Sequence, residues 1–349
     1  MLAWPLFRGD PRATGVAACG LPEKLELLWT FSADKGGFES TAAIADGRVV
    51  VGGVNGKLYA VNLADGRKQW EFSTPTGFTA SAAIRDGLVY VGDSDGQFYC
   101  LDAKSGQLKW KFDTQAEINS SANFYQNTVL VGSQDATLYC LKADSGELVW
   151  KCESGDQIRC FPTVVADRGF VAGCDGQLHV IDLAAGKSVA EVNLEGPTCA
   201  SPAVLGDAIF VGTEEGILFG IDWKQAKVLW RYSNPQRAAS YRSSAAVTPN
   251  LVIVGSRDKL VHALHPKDGR SVWTFTTKSR VDSSPVIVGE RVFVGSADGR
   301  LYELDLKTGR ELWRFEAGGA VAASPAVAAG RLVIGNDNGE LFCFGAKQK

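Results

Sequence analysis

Eight residues spaced 40 apart, with one interval of 43, carry most of the chemistry this chain offers: Glu39, Thr79, Asn119, Arg159, Cys199, Arg242, Asp282 and Ala322. They precede runs of small and β-branched residues such as Ser201-Pro-Ala-Val204, Ser284-Pro-Val-Ile287 and Ser324-Pro-Ala-Val327. Elsewhere the chain repeats itself, but this position changes type from copy to copy and holds four charged side chains. Variation at one point of a repeated scaffold is where an individual function can be written. Arg159 and Arg242 can hold an anionic ligand or a partner's carboxylate through charge-assisted hydrogen bonds. The plainer alternative pairs them with Glu39 and Asp282, so that the four charges only hydrate a channel. The segment Ser233–Tyr241 carries the three extra residues of the long interval and leads into Arg242. An insertion in a regular array often maps to a binding face, so Arg237 and Tyr241 are expected to reach over the same place.

Other chemistries find less support. Asp93-Ser-Asp-Gly96 and Asp337-Asn-Gly339 have the form of calcium-loop fragments. A calcium loop supplies more oxygens and a terminal glutamate, so both read as hairpin turns. The three histidines, His179, His262 and His265, recur at repeat positions that packing or turns explain. The eight cysteines include no C-x-x-C pair and no neighbouring histidine that completes a zinc set. Cys100, Cys140 and Cys343 share a strand position held elsewhere by Ala60, Val180 or Ala263, and are expected to be buried. No catalytic residue and no metal ligand is nominated.

The elements that position the eight residues follow from the repeat. Tryptophans fall at Trp29, Trp70, Trp110, Trp150, Trp230, Trp273 and Trp313, and Ala190 stands in register between Trp150 and Trp230. Each copy resolves into four short strands with turn residues at every joint, as in Leu88–Gly92, the loop Asp93–Gly96 and the strand that follows it. One third-strand column reads Tyr59, Tyr99, Tyr139, His179, Phe219, His262, Tyr302 and Phe342. Two residues on, and therefore on the same strand face, all residues are aliphatic or aromatic. A sheet with such a face must stack on a neighbour. The expected fold is an all-β, eight-bladed propeller of four-stranded antiparallel blades, its tryptophans docked between blades. The last copy lacks a tryptophan strand, and residues 27–31 are such a strand with nothing before it. The N-terminal strand should therefore complete the C-terminal blade and remove the open seam. Residues 1–20 read as an arm, with Trp4 and Phe7 docked on the body, and 21–349 as one propeller domain.

Composition bounds the partners. The net charge is −3 and no basic run exists, so nucleic acid has no electrostatic footprint. No apolar run reaches the ~18 residues of a membrane span. Val16-Ala17-Ala18-Cys19-Gly20 has the local form of a lipoprotein processing site, but Arg8, Asp10 and Arg12 interrupt the apolar segment that must precede it. Cys19 therefore reads as an ordinary cysteine of the arm. Unpaired thiols lean towards a reducing, cytoplasmic setting. A monomer is expected.

Asp305-Leu-Lys-Thr-Gly309-Arg-Glu-Leu-Trp313 and Asp102-Ala-Lys-Ser-Gly106-Gln-Leu-Lys-Trp110 resemble the repeat of quinoprotein-type propellers, the PQQ-repeat family. The resemblance spans about residues 25–345. It departs at Ala190 for the tryptophan, at Ala226 for the turn glycine, and at Asn62, Lys142 and His265 for the aspartate. One branch of that family, the quinoprotein dehydrogenases, implies an enzyme holding pyrroloquinoline quinone over the channel. Its alcohol dehydrogenases carry an adjacent Cys-Cys pair that this chain lacks. The other branch, BamB-like propellers, implies a scaffold that works in the cell envelope and binds a protein or peptide without cofactor or catalysis. The chain resembles the second branch more closely. The expectation is therefore a non-enzymatic scaffold, with a quinone or small anionic ligand at the channel mouth as the competing reading.

Overall fold

The computed structural model describes residues 3–347. In residues 83–113 the local rules are visible strand by strand. Ala83–Arg85 turns through Asp86 and Gly87, both at positive φ, into Leu88–Gly92. Two successive left-handed residues match the right-handed twist of a tight hairpin. The next turn is held by Asp93, whose carboxylate accepts from the Asp95 and Gln97 N–H groups and from the Tyr99 hydroxyl. This is a turn that consumes its own oxygens. The third turn, between Gln97–Asp102 and Leu108–Asp113, is capped by Asp102, which accepts from the Lys104 and Ser105 N–H groups. A bulge after Cys100 then sets Trp110 opposite Cys100.

Repeated eight times, this gives eight separate four-stranded antiparallel sheets. Blades 1 to 7 cover residues 43–73, 83–113, 123–153, 163–193, 203–232, 246–276 and 286–316. Blade 8 joins three strands of residues 326–345 to Glu26–Ser32, which pairs with Glu340–Gly345. The ring thus closes through the N-terminal strand, as expected. Among the described residues no helix is long and apolar enough to cross a membrane.

The apolar layers lie between blades, and the third strand is buried on both faces. Tyr59 and Val61 pack towards blade 8, while Leu58 and Ala60 pack towards blade 2. The aromatic column meets a ring from the preceding blade edge-on, as Tyr59 meets Phe31, Tyr99 meets Phe72 and Tyr302 meets Phe275, each at 5.2 Å. His179 and His262 take the tyrosine's place and bond to Asp175 and Asp258 as Tyr99 bonds to Asp93. Cys100, Cys140 and Cys343 are fully buried.

At the outer rim six indoles cross to the next blade. Trp29, Trp70, Trp110, Trp150, Trp230 and Trp273 donate Nε1–H to Leu63, Ala103, Ala143, Leu183, Pro266 and Leu306 carbonyls at 2.8–3.1 Å. Trp313 packs instead edge-on against Phe344 at 5.6 Å. The turn glycine of the next blade lies on each crossing indole. A Cβ on Gly146, at φ +73, would come within 2.5 Å of the Trp110 ring.

The joint between blades 4 and 5 breaks this pattern on both sides. Ala190 replaces the indole, and the residue that should lie on it is Ala226, at φ +49. The two departures are one adjustment, because removal of the ring frees the space that forbids a side chain on the turn. Trp223, two residues after the third strand's Ile221, fills part of the gap. It packs edge-on against Phe170 of blade 4 at 5.2 Å and donates to the Gly206 carbonyl.

Candidate functional site

Every innermost strand has one free edge, facing the channel. An exposed row of strand N–H groups needs partners. The N-terminal arm supplies them along a path beneath the ring. Carbonyls of Trp4 at Ile44, Pro5 at Ile84, Pro11 at Val164, Arg12 at Val204, Thr14 at Val247 and Gly15 at Ile287 accept those N–H groups at 2.8–2.9 Å. In blade 3 the Asn123 side chain donates to the Pro11 carbonyl instead. Trp4 is buried against blade 1, and Arg8 is wholly buried, donating to the Ala245 and Pro285 carbonyls at 3.1 and 2.5 Å. Burial pulls the Arg8 guanidinium down to about 9. Phe7 rises from the arm to meet Phe161 edge-on, ring centroids 6.0 Å apart. The arm therefore turns the channel into a blind cup, a role that its apolar composition hinted at but did not locate.

The cup is lined by Glu39, Thr79, Asn119, Arg159, Cys199, Arg242, Asp282 and Ala322, with a second tier two residues further along each strand. Its volume is about 170 Å³. The second tier is a near-continuous circle of hydroxyls. The backbone N–H of Thr41 donates to Ser81, that of Ser81 to Ser121, that of Phe161 to Ser201, and so on through Ser244, Ser284 and Ser324 to Thr41. These bonds give the serine of the small-residue runs its purpose: it ties each blade to the one before. The circle breaks only at Phe161, which has no hydroxyl and instead forms the cup floor with Phe7.

Five of the expected site residues, Glu39, Asn119, Arg159, Arg242 and Asp282, lie together in this cup. Their pairing differs from the expected one. Arg242 pairs with Glu214 at 2.8 Å, and Asp282 with Arg257 and Arg280 at 2.8–3.0 Å. Burial pushes the Asp282 carboxyl up, but the hydrogen bonds and charges of the two arginines together outweigh it and hold it below the usual carboxylate range. Among the described residues Arg159 bonds only to the neutral amides of Gln134, at 3.1 Å, and Gln157, at 2.6 and 3.0 Å. Gln134 in turn donates to Asn119, whose amide donates to Thr79 and Glu117. Glu39 is exposed and has no ion-pair partner among the described residues. The pairing follows from the hairpin residues Gln134, Glu214 and Arg257, each of which reaches the ring residue of the next blade. That partner set escapes a reading of the ring column alone.

Tyr241 does not reach over the cup. It stands one residue before Arg242, so its side chain points the opposite way, into the layer between blades 5 and 6. There it is buried with its Cβ against Gly212 and its ring edge-on to His262 at 5.9 Å. Arg237 is exposed on the insertion and is not part of the cup lining. Cys19 is partly buried against the core that includes blades 1 and 8.

The family description of the outer membrane protein assembly factor BamB matches the chain over residues 23–150, 113–175, 134–256 and 244–348. No curated protein matches it. BamB from Moraxella catarrhalis superposes with a TM-score of 0.78 at 21% identity, covering 93% of this chain and 99% of that one. The quinohemoprotein alcohol dehydrogenase of Comamonas testosteroni superposes with a TM-score of 0.85 at 16% identity, covering 99% and 81%. A computationally designed protein, Ika8, reaches 0.80 at 17% identity, covering 92% and 100%. At these identities the likenesses establish the shared propeller architecture, and the matched repeats run from residue 23 to residue 348. The chain therefore belongs to the BamB-type family of PQQ-repeat β-propellers.

Proposed function

We propose that the protein is a non-enzymatic scaffold of the outer-membrane assembly factor type, engaging a protein or peptide at the mouth face of its propeller. One observation carries the reading. In a cup sealed from below, Arg159 is held by two neutral amides and keeps an uncompensated charge. A carboxylate from a bound segment satisfies that charge with a charge-assisted hydrogen bond. A space of about 170 Å³ suits a side chain, whereas small-molecule sites usually measure roughly 300–1,000 Å³. The arm leaves the mouth as the open end.

The test is selection of displayed peptides on the immobilised protein, followed by fluorescence anisotropy of the enriched sequences. The expected peptides carry Asp or Glu and lose roughly tenfold or more in affinity with Arg159→Ala, as loss of a hydrogen-bonded charge partner in a partly buried site does. Arg242→Ala should weaken binding less, because Glu214 already neutralises Arg242. Binding indifferent to Arg159→Ala overturns the reading.

The likeness to the alcohol dehydrogenase favours a second reading, a quinone over the mouth. The residues present do not fit it. Asn119 and Asp282 are committed to neighbours, Phe7 and Phe161 meet at 62° without forming a flat platform, and no metal-holding cluster of His, Cys, Asp or Glu occurs among the described residues. Titration with pyrroloquinoline quinone and calcium should give no stoichiometric absorbance change. Tight one-to-one binding would replace the scaffold reading.

A further inference from the structure

The hairpin that follows the second strand of a blade places its second residue against the mouth residue of the next blade. Gln134 meets Arg159, Glu214 meets Arg242 and Arg257 meets Asp282 in this way. In blades 4 and 5 the same two positions hold Cys174 and Cys199. The backbone fixes the approach: the Thr198 N–H donates to the Gly173 carbonyl at 3.3 Å, and the two cysteines follow one residue later on each side. The two thiols thus stand side by side, near enough for each to shift the other's ionisation. Both thiols are free and partly exposed, and Cys199 lines the cup.

We propose that Cys174 and Cys199 form a redox-active dithiol at the cup mouth, which small-molecule disulfides such as glutathione disulfide oxidise to an intramolecular bond. The Cys199 thiolate attacks one sulfur of the disulfide and expels one glutathione thiolate, which takes up a proton. Cys174 then loses its proton and attacks the Cys199 sulfur. This forms the Cys174–Cys199 bond, breaks the mixed disulfide and releases the second glutathione as a thiol. The protein loses two hydrogens and the glutathione disulfide gains them.

The surroundings assign the roles. Interaction with Cys174, aided by the charges of Arg159 and Arg242, outweighs burial and the nearby Glu214 carboxylate and brings the Cys199 thiol down to about 7. Interaction with Cys199, then burial, pushes the Cys174 thiol up. Cys199, which stands on the cup wall between Arg159 and Arg242 while Cys174 lies outside the lining, is therefore the attacking thiolate and Cys174 the resolving thiol. The remaining buried thiols are pushed the other way by burial, Cys140 and Cys343 to about 11, Cys100 and Cys160 to about 12. The bond would link blades 4 and 5 at their inner ends, the joint that lacks its tryptophan at the rim.

The full chain is incubated with glutathione disulfide, blocked with N-ethylmaleimide and digested with trypsin without reduction. The expected product joins residues 169–187 to 188–224, lighter than the sum of the two peptides by two hydrogens. Cys174→Ser should stop at a Cys199–glutathione adduct, and Cys199→Ser should give neither product. In the unmutated protein, iodoacetamide should alkylate Cys199 with a half-maximal rate near pH 7, and faster than Cys19 or Cys152. An unlinked pair after oxidation, or a Cys199 no more reactive than Cys19, overturns the proposal without relying on either variant.

Discussion

At the outer rim six indoles make the same bond to the next blade, whereas at the mouth no two successive ring positions hold the same residue. The rim and the mouth lie at opposite edges of the same four-stranded sheets. The rim's geometry leaves little freedom: an indole, its carbonyl acceptor and a glycine lying on the ring must be chosen together. At the mouth a side chain projects into the open cup, and each hairpin can offer its neighbour any partner. Stability should therefore sit at the rim and recognition at the mouth.

Trp110→Ala is the most damaging change expected. It removes a ring packed between blades and should cost roughly 3–5 kcal/mol in chemical denaturation. A loss under about 1 kcal/mol would place that indole outside the packed layer. Gly146→Ala comes next, at roughly 2–4 kcal/mol, from a left-handed backbone and a Cβ driven into the Trp110 ring. Much of that cost should vanish in the Trp110→Ala background, and strict additivity would show that glycine and indole are not coupled.

At the mouth, Asp282→Asn should cost about 1–2 kcal/mol at neutral pH, as charged hydrogen bonds do. The folded carboxyl sits below its unfolded value, so its contribution is present above about pH 4 and is lost as pH falls through the lower, folded value. The stability difference between wild type and variant should be flat from about pH 7 to 5 and shrink only below about pH 4. A difference that shrinks between pH 7 and 5 would put Asp282 outside its arginine pair. Smallest of all is Ala226→Gly, within about 0.5 kcal/mol, since no indole lies beneath it. A large loss there would mean that Ala226 is itself a packing residue of the altered joint.

Much of this division was legible in the residues. The tryptophan spacing, the aromatic column and the unmatched strand at 27–31 define eight blades and their closure, because a strand repeat with one apolar column has few ways to hide it. The ring from Glu39 to Ala322 was legible for the same reason, as a column at fixed spacing. Tyr241 was not, since its neighbour in sequence belongs to the cup while alternation along the chain turns it away. The pairing of Arg242 with Glu214 and of Asp282 with Arg257 also lay outside that reading, because the partners come from another column on the preceding blade. Ala190 and Ala226 were visible as two departures, and only their packing against the same core layer between blades 4 and 5 makes them one.

The path of the arm has a consequence for how the chain is assembled. Carbonyls of residues 4–15 accept from strands as far away as Ile287, and Glu26–Ser32 waits for Glu340–Gly345. During synthesis Gly15 and the strand Glu26–Ser32 are made well before their partners and must wait for blades 7 and 8 before they can settle. Such long-range pairing slows folding and exposes strand edges meanwhile. A nascent chain of this protein should leave the ribosome as a row of unsealed blades, vulnerable to sticking to its neighbours until Glu340–Gly345 emerges to close the ring.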